Sequence, residues 1–251
     1  MRRLRPPLLL VFALLACEDE DRPRGDIDVA PRYLATGVVR VENTQSVGAS
    51  LRPFRFALAD LALEAGEVTG RAEAPAGGPP WLLTGRYDLE ADQYRFDGAT
   101  TAVLTASTAE QVVSFAFRAE DGRPEDMVAS ELVGSVSTAT PGSTANGRWL
   151  GVEDVPDQVP PPDPALISIT PSPTRVGEFV VEGAPGASVG GAGIQVFRFT
   201  PARETPDVFT FPVEFSGEFA FPLVANPGDI VLFRAQVARR NGDAAIVTVP
   251  R

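Results

Sequence analysis

The segment Phe54-Arg55-Phe56-Ala57-Leu58-Ala59 decides the fold class. Large apolar side chains fall on every second position, the period of a strand that buries one face. The alternation returns at Tyr94-Arg95-Phe96 and at Val113-Ser114-Phe115-Ala116-Phe117-Arg118. A glycine inside or leading into such a strand recurs at Thr36-Gly37-Val38, Thr69-Gly70-Arg71, Thr84-Gly85-Arg86-Tyr87, Val133-Gly134-Ser135-Val136 and Asn146-Gly147-Arg148-Trp149. Glycine in a strand marks a bend, a bulge or the close approach of another group. Repeated along successive strands, it predicts a curved antiparallel meander over residues 33–152, either a small barrel or a sandwich. Residues 60–65 are read as strand, although Leu61, Ala62, Leu63 and Glu64 favour helix intrinsically and one or two helical turns are the alternative.

Composition narrows the chemistry. The 251 residues include 22 basic and 33 acidic side chains, for a formal net charge of −11. All the basic residues are Arg; there is no His, no Lys and one Cys. Without His there is no imidazole base and no usual zinc or copper site. Without Lys there is no Schiff base and no phosphate-loop lysine. The acidity argues against nucleic acid as a partner. Apolar content of 44% with 23 Gly and 24 Pro describes foldable, turn-rich material.

The amino terminus reads as an export signal. Arg2, Arg3 and Arg5 precede an unbroken apolar run from Leu8 to Ala16, too short for the about 20 residues that span a bilayer. Leu14-Leu15-Ala16-Cys17 then resembles the lipobox of bacterial lipoproteins. The resemblance implies cleavage before Cys17 and acylation of that residue; an ordinary secretory signal with a chance cysteine is the alternative. Each buried CH₂ of an acyl chain contributes about 0.8 kcal/mol, so two or more chains hold a protein at a membrane. Removing residues 1–16 takes away three arginines and makes the product more acidic still. Residues 17–32 read as an acidic tether. Together these features predict a chain exported across the cytoplasmic membrane and anchored in the cell envelope, with the outer membrane as the expected site.

Five prolines between Glu153 and Ala165, including Pro160-Pro161-Pro162, predict a semi-rigid spacer over 153–165 that separates two units. Beyond it, over 166–251, the sequence carries Gly183-Ala184-Pro185-Gly186-Ala187, Gly193-Ile194-Gln195-Val196 and Ser216-Gly217-Glu218-Phe219. It continues with Asn226-Pro227-Gly228-Asp229, Asn241-Gly242-Asp243 and Ile246-Val247-Thr248-Val249. This third of the chain resembles the bacterial Ig-like modules of surface proteins, which implies a β-sandwich of seven short strands. Phe197, Phe199, Phe209, Phe211, Phe215, Phe219 and Phe221 read as its core, and Asn241-Gly242 as a hairpin turn.

Only carboxylates remain as catalytic types. Asp88, Glu90 and Asp92, and Glu120, Asp121, Glu125 and Asp126, fall where hairpin loops are expected and read as solvated turns. Glu120, Asp121 and Asp126 are also the candidate calcium ligands, since a hard cation takes oxygen donors. Trp81, Tyr87 and Trp149 are the candidate binding residues, able to stack on a sugar or anchor a partner. The bland alternative is that both tryptophans close a core. Cys17 is the lipid-attachment site. The sequence thus predicts an all-β chain with a meander followed by an Ig-like sandwich. It predicts no cofactor and no catalysis, and a binding, adhesion or spacer role at the envelope with a protein or glycan partner. A lipocalin-like carrier of a small apolar ligand, or an accessory subunit of an envelope complex, is the alternative.

Overall fold

The alternating strands of the first unit close on themselves. The computed structural model describes residues 28–30, 32–43, 48–64, 67–74, 77, 80–88, 100–108, 111–121, 128–140, 142–238 and 240–251. In chain order the first unit holds β1 (Asp28–Val29), β2 (Arg32–Asn43), β3 (Ala49–Glu64), β4 (Glu67–Glu73) and β5 (Trp81–Asp88). It continues with β6 (Thr100–Thr108), β7 (Gln111–Asp121), β8 (Val128–Thr140) and β9 (Ser143–Glu153). From β2 to β9 each strand pairs antiparallel with the next, and β9 returns to pair with β2. The choice between barrel and sandwich is thereby settled as an eight-stranded up-and-down barrel. Closure removes the unpaired strand edges that an open sheet would expose. The short β1 adds in parallel to the start of β8, and the Ala30 amide donates to the Tyr33 hydroxyl at 3.0 Å.

The barrel keeps its apolar face inward. Tyr33, Ala35, Phe56, Leu58, Val68, Leu83, Leu132 and Trp149 form one buried cluster. Arg40, Arg55 and Glu131, by contrast, make their contacts with the second unit from outside. That is the reverse of a membrane-spanning barrel, which turns apolar residues out and polar ones in. Among the described residues no helix is long and apolar enough to cross a membrane.

Residues 60–64 belong to β3, and the helix-favouring composition there is overridden by strand pairing. A β-bulge between Ala59 and Ala62 interrupts the ladder, with Asp60 at φ 53°. One extra residue switches the inward parity of the strand. Leu58 faces the core before the bulge and Leu61 after it. Asp60 also takes an ion pair from Arg71 at 2.7 Å.

A single 3-10 turn, Pro164–Leu166, opens the second unit, with the Asp163 side chain accepting from the Ala165 amide. Strands β10 (Ile167–Pro171), β11 (Glu178–Gly183) and β14 (Phe219–Val224) make a three-stranded sheet. The second sheet has four strands in the order β13 (Asp207–Pro212), β12 (Gly193–Phe199), β15 (Ile230–Val237) and β16 (Arg240–Thr248). The two sheets close on a core containing Val181, Ile194, Val196, Phe219, Phe221 and Phe233. This is an Ig-like sandwich of seven antiparallel strands.

Three expectations about this unit are corrected. Phe215 is 95% exposed on the loop between β13 and β14, and Phe209 is 39% exposed on β13, so neither belongs to the core. Phe197 and Phe199 leave the sandwich core and join a different cluster, described below. Gly242 lies within β16, so Asn241-Gly242 is not the hairpin turn; the chain reverses at Ala238, whose φ is 56°.

Candidate functional site

Three places in the molecule bear on function: the barrel interior, the seam between the units, and the rim of the barrel. Trp149 fills the interior. Its indole N–H donates to the Ser135 carbonyl at 3.1 Å, and its ring meets Phe56 edge-on at 5.2 Å between centroids. The strand glycines make the space: a Cβ on Gly134 would lie 2.1 Å from Trp149 Cε2, and one on Gly37 would lie 2.6 Å from Phe54 Cζ. At these two positions the strand glycine is the complement of large interior rings, which a closed barrel has little room to hold, whereas Gly70 makes room for Leu61 and Gly147 for the Val38 carbonyl. With 1% of its surface exposed, Trp149 is a core residue and offers no surface platform.

At the seam the four-stranded sheet lies against the outside of the barrel. Val38, Leu51 and Leu150 of the barrel pack against Phe197, Phe199, Ile230, Leu232, Ala244 and Ile246 of the sandwich. The proline-rich segment therefore does not hold the units apart. Its Val159 carbonyl runs so close to β16 that a Cβ on Gly242 would sit 2.4 Å from it. Polar groups fix the register of the seam. The Thr36 hydroxyl donates to Asp243 at 2.7 Å, Arg40 Nε to the Pro201 carbonyl at 2.6 Å, and Arg55 to the Ala244 carbonyl at 2.7 Å.

A buried ion pair crosses the same seam. The Arg234 guanidinium bonds Glu131 of β8 and also donates to Gln195 Oε1 at 3.0 and 2.6 Å. The second Glu131 oxygen accepts from Asn241 at 2.6 Å. Glu131 and Arg234 retain only 9% and 4% exposure. A buried charge is tolerated when it is paired and its remaining valences are bonded, and removal of either partner strands the other. At the edge of the seam Arg240 donates to Asp157 at 2.9 Å. That hydrogen bond, opposed by slight desolvation and aided by the charges of Asp157 and Glu153, holds the guanidinium further above its ordinary pKa.

At the rim, where β2 ends and β3 and β9 begin, a half-open concavity of about 510 Å³ is walled by Val41 and Ala49 and presents Asn43, Ser50, Arg52 and Ser143. Register explains how Arg52 arrives there. It shares the alternation of Phe54, Phe56 and Leu58 and so continues the inward face of β3 beyond the end of the apolar core.

The remaining candidates are placed as follows. Trp81 begins β5 and is 36% exposed, but does not line the concavity. Tyr87 lies in β5 opposite Ala102, and Glu120 and Asp121 lie at the end of β7 opposite Glu131 and Ala129. The side chains of Tyr87, Glu120 and Asp121 are outside the described set, as are Cys17 and Asp126 altogether. Among the described residues no group of three metal-ligating side chains comes together.

The free edges of the sandwich are also informative. The Val213 amide bonds the Ala192 carbonyl and the Ala225 amide bonds the Gly177 carbonyl. Strand alternation then turns the nitrogens of Pro212 and Pro222 away from their neighbours, toward the open edges of β13 and β14. Each edge lacks a donor where an added strand would need one.

Sequence reasoning passed over Arg52, Glu131 and Arg234. Two signals were available: a charge on the parity of Phe54 and Phe56, and a charge embedded in the apolar run Ile230–Ala235.

No family model matches the chain and no curated protein matches it. Among solved structures it is similar to the FN1–FN3 domains of chicken CNTN1. Identity is 11% over 91% of this chain and 98% of that one, at a TM-score of 0.27. It is also similar to a tetra-tandem repeat in the extending region of a large adhesion protein. There identity is 13% over 89% of this chain and 67% of that one, at a TM-score of 0.22. At such scores the likeness carries no assignment, and the fold description stands on the strand pairings above.

Proposed function

We propose that this chain is a lipid-anchored protein of the bacterial cell envelope that works by binding or spacing, without catalysis. The observation that carries the reading is Leu14-Leu15-Ala16-Cys17, in which the cysteine the motif needs is the one cysteine of the chain. An acylated Cys17 supplies membrane attachment that so acidic a chain does not obtain from anionic lipid headgroups. The sealed seam supports a rigid presenting role, since barrel and sandwich share one apolar cluster and a buried ion pair. A non-catalytic role fits a chain without His or Lys whose described barrel interior is filled by side chains. The same filling disfavours the carrier of an apolar ligand, because the concavity at the rim is lined mainly by polar groups.

Palmitate labelling with membrane fractionation tests the anchor, with wild type beside Cys17→Ser. Wild type is expected to take the label and sediment with membranes, and Cys17→Ser to do neither. Unlabelled, freely soluble wild type would overturn the reading.

A further inference from the structure

We propose that the rim concavity is a binding site for an acidic sugar, with Arg52 as the carboxylate anchor. The inference deepens the binding role proposed above and rests on it, but does not depend on the lipid anchor.

Arg52 stands apart from its neighbours. Of the described arginines on β2, β3 and β4, Arg32 pairs with Glu73 and Asp154, and Arg71 pairs with Asp60 and Glu73. Arg40 pairs with Glu42 and bonds the Pro201 carbonyl, and Arg55 bonds the Ala244 carbonyl. Arg52 has neither a carboxylate nor a carbonyl partner among the described residues, and it lines the concavity. A guanidinium is the side chain best suited to hold a carboxylate by two parallel hydrogen bonds.

The other groups of the lining set the class of ligand. Asn43, Ser50 and Ser143 supply an amide and two hydroxyls, which donate and accept, and among the described residues of the wall none is acidic. Such a set matches a ligand bearing several hydroxyls beside one carboxylate. A volume of about 510 Å³ lies in the range of small-ligand sites. Its half-open form leaves room for a longer saccharide to continue outward. The chain carries a net charge of −11, but at physiological salt charges beyond about 8 Å are largely screened, so the local guanidinium decides the sign of the site. Arg52 is itself exposed, and an exposed ion pair alone is weak. Affinity therefore requires the hydroxyl contacts as well as the carboxylate.

The experiment is a titration of the full-length protein in detergent micelles, followed by amide NMR shifts, with glucuronate, glucose and acetate as probes. Glucuronate is expected to give saturable shifts at Gly48, Ser50, Arg52 and Ser143, with glucose and acetate each at least about tenfold weaker. Arg52→Gln is expected to weaken glucuronate by about tenfold or more, the loss of one charged hydrogen-bonding partner. Arg148→Gln, on the outer wall of the barrel, should bind as wild type. Unchanged tryptophan emission in each variant shows that the barrel is intact. Absent saturation, equal binding by Arg52→Gln, or acetate or glucose matching glucuronate would each overturn the proposal. None of these outcomes affects the palmitate result, so failure of the site and failure of the anchor remain distinguishable.

Discussion

Strands β14 and β15 belong to one sandwich and differ in what lies over their outer faces. In β14 burial alternates: Phe219, Phe221 and Leu223 are buried, while Ala220, Pro222 and Val224 are exposed. In β15 every residue from Ile230 to Ala235 is buried. The outer face of β14 meets water, whereas that of β15 meets the barrel. A strand apolar on both faces signals cover on both faces, wherever in the chain the cover comes from. The comparison teaches that the seam is a core in its own right, built from two units that each already possess one.

Five variants would break or sharpen this contrast. Glu131→Ala should cost the most, about 4 kcal/mol in urea unfolding, because Arg234 is left buried without its counter-charge. Replacing both Glu131 and Arg234 with Leu should recover much of that loss, separating the stranded charge from the net worth of the pair. Next comes Leu232→Ala, on the seam side of β15, at about 3 kcal/mol by the same measurement. Thr36→Ala should cost about 1 kcal/mol, the value of its partly buried hydrogen bond to Asp243, read as a fall in thermal midpoint. Val224→Ser, on the wet face of β14, should change stability by less than about 0.5 kcal/mol. A Val224→Ser loss equal to that of Leu232→Ala would erase the distinction between the two strands.

Much of the fold is legible in the sequence because side-chain alternation reports which face of a strand is apolar. Phe54, Phe56 and Leu58 announce the barrel core directly. What alternation does not report is which object covers the face. Phe197 and Phe199 share odd numbering with Phe209 and Phe211, yet β12 and β13 pair Val196 with Phe209 and Ile194 with Phe211. Odd positions in β13 thus lie over even positions in β12, and the two phenylalanine pairs occupy opposite faces of one sheet. Register between strands decides this, and no local pattern contains it. The strand glycines were visible as a recurrence, but their role needed Trp149 to be placed against Gly134 across the β8–β9 ladder. The half-exposed Trp81 at the start of β5 was legible, but it lies outside the candidate site. Arg52 was not legible, because its meaning depends on where the apolar core stops and the rim begins. The proline-rich segment predicted separation from its own stiffness, but Val159 packed on Gly242 and the apolar seam bring the units together.

The most direct test of the account is whether the barrel feels a change made in the sandwich. Both tryptophans, Trp81 and Trp149, lie in the barrel, so tryptophan emission reports the unfolding of that unit alone. Urea unfolding of wild type and Leu232→Ala should be followed by this emission and by far-ultraviolet circular dichroism. A sealed seam predicts one coincident transition in wild type and a lower midpoint by both probes in Leu232→Ala. An emission midpoint unmoved by Leu232→Ala, with a separate transition shifted only in the dichroism, would contradict it.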